Sequence, residues 1–425
     1  MSTLPIVLKD PRILLLGGGA VALHKARVLH DNAIDFCVIA REFCAGFDEL
    51  PLVRIVKGIE TADLADFALV VDATGASEVA QLLAREKQRR VLLVNAVDAP
   101  ERCDFYFSAL LRRGDLKVAV SSGGASPTLT QIVRDRIDRL LPAELAALTA
   151  VAGRDRQAGL SDAMALRTQA HRLLGEVLLI GCGPGAAALL TRQAYEALQL
   201  VDLVLYDHLI SDEILALVPA GVKRRYVGKQ KDRHSCSQEE INQLLIDHAS
   251  QGLRVARLKS GDPYVFGRGA EEALCLAQQG IRVQVVPGLS SALAGPALAG
   301  IALTARGYAT GFSVVSAHLA GNRFNQAWLE LLHLPQHTTV VLMGLSFAAQ
   351  IVEAALARQV RPDLPVAIVA NATRDNQQVI VSSLAQLVED ARQACRPAVL
   401  VFGEVVRLQA CLPSCGGRIP GLESQ

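Results

Sequence analysis

An apolar strand that empties into a loop of Ser, Gly, Asp and Pro constrains this chain more than any other stretch. Residues 258–272 read LKSGDPYVFGRGAEE. Arg254 to Leu258 has strand character, and Ser260-Gly261-Asp262-Pro263 forms the loop. Gly267 and Gly269 follow, and a helix opens on Glu271 and Glu272. Open α/β domains place ligands at such strand exits. Gly261 allows close backbone approach, and Pro263 stiffens the exit. Lys259 and Arg268 bracket the loop with positive charge. A second glycine-rich turn lies upstream in LLIGCGPGAAALLT, 178–191. Between the two sit LVLYDHLIS at 203–211, YVGK at 226–229 and SQEEINQLL at 237–245; VVPGLSSALAG at 285–295 comes after.

The first half repeats the theme. RILLL, 12–16, is followed by Gly17-Gly18-Gly19-Ala20-Val21-Ala22 and the helical stretch LHKARVLH. Strand, glycine turn and helix in that order are the context of a dinucleotide fingerprint. Gly17 makes the tight turn, Gly19 lets the backbone approach a pyrophosphate, and Ala22 permits close helix–strand packing. Ala20 and Val21 continue the turn, and the N-terminus of the helix that follows offers free N–H groups to phosphate. A second strand, DFCVIA at 35–40, ends at Arg41-Glu42. Glu42 stands where an acid would hold a ribose hydroxyl, and Arg41 beside it keeps NADP open as well as NAD. Further parallel-type strands are expected in FALVVDATG (67–75), VLLVNAVDAP (91–100) and LKVAVSSGGASP (116–127), with a helix over 76–89. Their ends carry Asp72 and Thr74, Asn95 and Asp98, and Ser121 and Ser122. Ser126 caps a helix that has Pro127 at its first position.

From Val177 the pattern restarts. Strands are expected at 177–180, 201–206 (ending Tyr206-Asp207), 222–227 (ending Gly228-Lys229) and 281–286. Ser237 and Glu240 form a capping box for a helix running to Gln251, with Gly252 as its C-cap. Strands at about 312–316, 338–342, 365–370, 377–382 and 397–402 build a second lobe. The fold class is thus α/β: a Rossmann-like domain, a short helical linker at 141–175, and a two-lobed α/β domain whose cleft suits a small cofactor and a bulky substrate.

Composition narrows the function. With 43 Lys and Arg against 42 Asp and Glu, the net charge is +1, so no global field draws the chain to nucleic acid or to a membrane. Hydrophobic residues are 51% and charged residues 20%, the balance of a packed globular protein. No apolar run has the length of a membrane span, and the N-terminus has no signal-peptide pattern, so a cytoplasmic protein is expected. The 9 cysteines include no C-x-x-C pair, which speaks for free thiols over structural zinc. No metal-ligand set can be read.

The ordered motifs of residues 175 to 410 closely resemble the uroporphyrinogen-III C-methyltransferase family, which binds S-adenosylmethionine. GGGAVALHKAR, NAVDAP and AVSSGGASP resemble the precorrin-2 dehydrogenase/sirohydrochlorin ferrochelatase module. The fusion of the two is the multifunctional siroheme synthase family, and the resemblance covers almost the whole chain. It implies residues 1–112 as an NAD-binding dehydrogenase/chelatase domain, 113–175 as a dimerisation and linker region, and 176–425 as the methyltransferase. It implies Asp207 as proton acceptor and Lys229 as donor in methyl transfer. Asp98, with Ser122 lining the same site, would serve both dehydrogenation and chelation of Fe²⁺. By the same resemblance, Pro184, Ser260, Gly261, Asp262, Val265, Ser290, Ser291, Met343 and Ala372 hold S-adenosylmethionine. NAD falls to Gly17, Gly19, Ala20, Val21, Arg41, Glu42 and Thr74. The implied substrates are tetrapyrroles: uroporphyrinogen III, precorrin-2 and sirohydrochlorin, in a homodimer.

Each of these residues has a plainer reading. Asp98 suits a turn before Ala99-Pro100, Asp207 and Lys229 a strand-end cap and a solvated charge, and Met343 core filling. Carboxylate groups of the substrate call for Arg and Lys, and Lys229, Lys231, Arg233, His234, Lys259, Arg268 and Arg306 lie in or near the motif loops. The chain departs from the family at Ser260, Ala186, Gln230 and Ala372, in LAGIALTAR at 298–306, and in a helical linker about half the family's usual length. Two other readings follow: a dehydrogenase/chelatase with an impaired methyltransferase, or a non-catalytic NAD- and tetrapyrrole-binding redox sensor. Bases placed at strand ends favour an enzyme over the sensor.

Overall fold

The computed structural model describes residues 12–228, 236–319, 321 and 323–414. Two compact units, Met1–Asp162 and Ala163–Gln425, account for the chain. Among the described residues no helix is long and apolar enough to cross a membrane.

Unit 1 begins with β1 (Ile13–Leu16), α1 (Ala20–Asp31), β2 (Phe36–Ala40) and β3 (Val53–Val56). It continues with β4 (Leu69–Asp72), α2 (Ser77–Arg89) and β5 (Leu93–Ala96). The five strands form one parallel sheet in the order β3-β2-β1-β4-β5. Alternation along β1 explains its two buried faces. Leu14 and Leu16 join one core cluster, Ile13 and Leu15 the other, because successive strand residues point to opposite sides. The stretch at 116–127 departs from expectation. Leu116–Val120 (β7) pairs antiparallel with Ala109–Arg113 (β6) in a separate two-stranded sheet. The physical reason is the short turn at Gly114 (φ 62), which leaves no length for a crossover helix, and a parallel pairing needs one. Helix α3 (Pro127–Leu140) is capped by the Ser126 hydroxyl, which accepts from Leu129 N, and has Pro127 in its first turn, as read. Arg113 ties it to the hairpin through Asp138 at 2.6 Å. Helix α4 (Leu145–Gln157) completes the unit.

Unit 2 opens with α5 (Ala163–Leu174), β8 (Glu176–Gly181), α6 (Arg192–Leu198), β9 (Leu203–Tyr206), α7 (Asp212–Ala216) and β10 (Lys223–Tyr226). Then come α8 (Gln238–Ala249), β11 (Arg254–Lys259), α9 (Gly269–Gln278), β12 (Arg282–Val286) and α10 (Ser291–Leu298). The break between α4 and α5 falls at the Gly159-Leu160-Ser161 stretch that the sequence marks. The first lobe is a parallel sheet, β10-β9-β11-β8-β12. Strand β8, between β11 and β12, puts Leu178 and Ile180 on one face and Val177 and Leu179 on the other, all buried. Each such side chain contributes about 1.5–3 kcal/mol by leaving water. Helix α8 has the expected capping box on Ser237 and Glu240. It ends at Ala249, two residues before expectation, with Ser250 as C-cap; Gly252 takes the left-handed turn, φ 85, that starts the next strand.

The second lobe holds β13 (Gly311–Ser316), the short hairpin β14 (His318–Leu319) and β15 (Arg323–Phe324), β16 (His337–Leu342) and α11 (Ala348–Ala357). It finishes with β17 (Pro365–Ala370), β18 (Gln378–Ser383), α12 (Leu387–Gln393) and β19 (Ala398–Phe402). The order is β13-β16-β19-β17-β18, parallel only between β13 and β16.

Loop exits in the first lobe cross without side chains. A Cβ on Gly181 would stand 2.5 Å from Gly288 N and 2.8 Å from Gly261 O. Gly183 and Gly261 exchange backbone hydrogen bonds at 3.2 and 2.8 Å. We predict that Gly288→Ala, whose methyl would overlap the Gly261 carbonyl, destabilises unit 2 by about 3 kcal/mol, the upper range of core overpacking. Urea unfolding followed by fluorescence of Trp328, the one tryptophan and buried in this unit, measures it.

Candidate active sites

In unit 1 the exits of β1, β2 and β4 meet. Connections run from β1 toward β2 and β3 on one side and β4 and β5 on the other, so the β1/β4 junction is a topological switch point. Gly17 has φ 120, and its amide donates to Ile39 O at 3.0 Å. A Cβ there would stand 2.8 Å from Ala73 O. Gly18, which the motif leaves as any residue, is equally constrained: its Cβ would overlap Glu42 O. Gly19 faces open space. Helix α1 starts at Ala20 with no side-chain cap, and Ala20 and Val21 are exposed. Uncapped first-turn N–H groups beside a glycine with room in front fit a dinucleotide pyrophosphate. Glu42 is exposed at the adjoining exit. Arg41 lies along Gly58, 3.5 Å from its Cβ position. Thr74 donates to Asp72 Oδ1 through its amide at 3.0 Å and its hydroxyl at 2.6 Å, bracing the loop beside Gly17.

Asp98 follows β5, exposed and in the left-handed region at φ 60. Asp is among the few residues that visit this region readily, and such positions concentrate at functional sites. Asn95, grouped with it in the sequence, is a brace instead: it is buried and donates from Nδ2 to Phe105 O at 2.9 Å. The Ser122 hydroxyl accepts from Ser126 N at 2.9 Å and donates to Ser126 O at 3.2 Å, within the turn that starts α3.

Unit 2 encloses a cavity of about 760 Å³ between its lobes, within the size range of small-molecule sites. Its wall brings together Pro184, Asp207, Ser260, Val265, Ser291, Met343 and Ala372. Three other expected residues stand behind the wall. Asp262 accepts from Tyr264 N at 2.8 Å and Gly288 N at 3.1 Å, pinning two loops together. Ser290 is buried and caps α10 through Ala292 N. Gly261, φ 71, makes the backbone crossing described above. Lys229, Lys231, Arg233 and His234 lie outside the described residues; Gly228, just before them, abuts Asp207 Cβ at 3.2 Å from its own Cβ position. Ser260 and Ala372, two of the departures from the family and both glycine by the resemblance, have negative φ, so neither side chain strains the backbone.

Strain is concentrated here all the same. Phe266, Arg268, Met343 and Asn371 line the cavity with φ between 47 and 59, and Thr373 at φ 73 adjoins it. Thr373 reaches across to hold the Ala186 amide at 3.0 Å. The Asn371 Oδ1 is buried with no hydrogen-bond partner.

Sequence reading missed the charge network under the wall. Arg257 donates from Nη2 to Asp207 Oδ2 at 3.0 Å. It also approaches Glu272 Oε1 at 3.5 Å, while Lys259 Nζ contacts both Glu272 oxygens at 3.0 Å. Arg257, Lys259 and Glu272 are all buried. Lys259 is therefore a paired interior charge, not the free carboxylate-binding cation expected; burial and then Arg257 hold its ammonium pKa below the usual lysine range. Arg268 is likewise paired, with Glu271, and Arg306 lies off the cavity lining. The unread signal was Arg257 itself, a charge in the middle of an apolar strand. Arg374 and Arg396 are cations on the cavity lining, with His208 and His318 on the same wall. Among the described residues no group of three or more His, Cys, Asp and Glu is placed to hold a metal.

Removing one member of a buried pair costs about 3–5 kcal/mol, whereas an exposed pair is worth about 0–1 kcal/mol. Lys259→Met should therefore lower unit 2 stability by about 3–5 kcal/mol. Arg192→Ala, which breaks the exposed pair with Glu196, should shift it by under about 1 kcal/mol. Trp328 fluorescence in urea separates the two.

Comparison with known proteins agrees with this arrangement. Residues 176–388 match the tetrapyrrole (corrin/porphyrin) methylases, 4–109 an NAD(P)-binding family, and 113–140 the sirohaem biosynthesis protein central family. Siroheme synthase 2 of Yersinia pestis (strain Pestoides F) is 36% identical, covering 96% of this chain and 95% of its own. Siroheme synthase of Actinobacillus pleuropneumoniae serotype 3 (strain JL03) is 37% identical over 96% and 92%. Siroheme synthase 3 of Aeromonas hydrophila subsp. hydrophila is 38% identical over 96% and 96%. Of solved structures, the uroporphyrin III C-methyl transferase from Thermus thermophilus is 39% identical with a TM-score of 0.49, covering 55% of this chain and 100% of that one. On the relatives' identity and near full-length coverage, the chain belongs to the siroheme synthase family.

Proposed function

We propose that this chain makes siroheme from uroporphyrinogen III: methylation to precorrin-2 in unit 2, then dehydrogenation to sirohydrochlorin and insertion of Fe²⁺ in unit 1. The observation that carries the reading is the pairing, in a chain of this family, of a dinucleotide-type switch point with Asp98 and a separate interlobe cavity with Asp207. S-adenosylmethionine supplies an electrophilic methyl group, NAD⁺ accepts hydride, and Fe²⁺ is a substrate. The functional division is 1–112, 113–175 and 176–425, acting as a cytoplasmic homodimer.

In unit 2, Pro184, Ser260, Val265, Ser291, Met343 and Ala372 form the wall against which the methyl donor lies, supported from behind by Gly261, Asp262 and Ser290. Asp207, held by Arg257, takes the proton released when a pyrrole-type carbon is methylated, and Lys229 returns one. Arg374 and Arg396 supply the positive surface that carboxylate side chains of the tetrapyrrole require, with His208 and His318 on the same wall. In unit 1, the uncapped start of α1 at Gly19, Ala20 and Val21 holds the pyrophosphate, with Gly17 shaping the turn. Glu42 binds the ribose, Arg41 and Thr74 flanking it. Asp98 accepts a proton as hydride leaves precorrin-2. The same carboxylate then takes pyrrole N–H protons as Fe²⁺ enters, and Ser122 lines that site. The exposed position of Asp98 gives one base access to both reactions.

The two units should fail separately. Asp98→Ala should abolish NADH formation from precorrin-2 while methyl transfer to uroporphyrinogen III stays within about twofold of the unsubstituted chain. Asp207→Ala should slow methyl transfer at least about 100-fold, the scale of losing general base catalysis, with NADH formation retained. NADH absorbance and transfer of labelled methyl groups read the two steps. Unchanged NADH formation in Asp98→Ala removes Asp98 from the mechanism.

A further inference from the structure

The cavity of unit 2 has a charge chain in its wall that substrate recognition alone does not call for. Glu272, in the first turn of α9, is fully buried. Lys259 grips both its oxygens, and Gln238 Nε2 donates to Oε1 at 3.0 Å. On the far side Arg257 links this carboxylate to Asp207, and donates from Nη1 to Leu258 O at 2.8 Å. The second oxygen of Asp207, Oδ1, accepts from Leu209 N at 3.0 Å. Side-chain exposure is 0% for Glu272, 6% for Arg257 and 21% for Asp207. The chain Lys259–Glu272–Arg257–Asp207 thus runs along the cavity wall, through the buried Glu272, to Asp207, the one carboxylate on that lining among the described residues.

Buried ion pairs give little net stability, because desolvation offsets their attraction. A network that ends on a single accessible base has another use. We infer that Arg257 and Glu272 are positioning residues for Asp207, fixing the direction of Oδ2 and balancing the charge beside it. The inference rests on the reading of Asp207 as the base of methyl transfer.

The groups around Asp207 are compatible. Arg257 and Lys259 face it from β11, Tyr206 from its own strand, Tyr226 from β10 and Cys182 from the exit of β8. Arg374 bonds Leu209 O at 3.0 Å from the loop after β17. Burial raises the Tyr226 phenol and pushes the Cys182 thiol up to about 12, so both are neutral at working pH. Arg257 is the cation that touches the carboxylate among the described residues. Glu272 sits behind it and offsets its charge.

The two positions therefore predict shifts of opposite sign. Loss of the Arg257 cation makes the Asp207 carboxylate easier to protonate, and the acidic limb of kcat moves to higher pH. Loss of the Glu272 charge leaves Arg257 uncompensated, and the limb moves to lower pH. The test uses the full chain with labelled S-adenosylmethionine and uroporphyrinogen III, anaerobically, from about pH 3 to 8, which spans the ordinary carboxylate range. Arg257→Gln should cut kcat at least about tenfold, hold both KM values within about threefold, and raise the acidic limb by about one pH unit. Arg257→Lys should bring the limb back toward that of the unsubstituted chain, and Glu272→Gln should lower it. Limbs that stay put, or that move the same way in the Gln variants, overturn the inference. So does a raised KM with kcat intact, which makes Arg257 a substrate-binding cation. Should Arg257→Gln fail to fold, Arg257→Lys and Glu272→Gln still decide by the sign of the shift. Asp207→Asn at full rate would sink the underlying reading instead, a separate result.

Discussion

Loop exits in unit 2 meet where no side chain fits. Gly181 at the exit of β8 and Gly288 after β12 approach Gly261 after β11 so closely that a methyl group on either would meet backbone, and Gly261 itself turns at φ 71. Gly183 adds a two-bond bridge to Gly261. Asp262 then locks the crossing by accepting from Gly288 N. While Asp207 and His208 come from the exit of β9, much of what faces the cavity from the first lobe is carried on these exits: Pro184 on one, Ser260 and Val265 on another, Ser291 on the third. Their placement is a consequence of backbone packing, which is stiff, and not of long side chains that could swing.

Against that rigid rim the cavity stores local strain. Non-glycine residues in the left-handed region each carry a cost of about 1–3 kcal/mol, and Phe266, Arg268, Met343, Asn371 and Thr373 gather at one opening. Unit 1 has a single counterpart at its strand exits, Asp98. In both units the surrounding sheet supplies the packing that tolerates such conformations. Met343, half exposed at 45%, lines the cavity and does not fill the core.

How far the sequence could be read follows from the range of the forces involved. Strand periodicity, glycine turns and caps are local, and they located the parallel sheets, the capping box at Ser237 and the cap at Ser126. The hairpin at 109–120 was misjudged because an apolar strand looks the same whether its partner is parallel or antiparallel. The partner is chosen by the turn before it, not by the strand. Buried charge was hardest to foresee. Glu272 reads as a routine first-turn acid and Lys259 as a loop cation, yet they meet each other and Arg257 across 13 and 15 residues of chain. Gly18 and Gly288 likewise owe their constraint to distant carbonyls. The candidate site residues were legible through motif order, but which of them form the wall and which stand behind it required the fold.

The central claim is that one chain carries uroporphyrinogen III to siroheme. Anaerobic incubation of the full-length protein with uroporphyrinogen III and S-adenosylmethionine, with NAD⁺ and then Fe²⁺ added in turn and absorbance spectra recorded at each addition, tests it most directly. The account predicts stepwise appearance of precorrin-2, sirohydrochlorin and siroheme. Spectra that stay unchanged until authentic precorrin-2 is supplied would contradict it, and would leave the interlobe cavity of unit 2 without its chemistry.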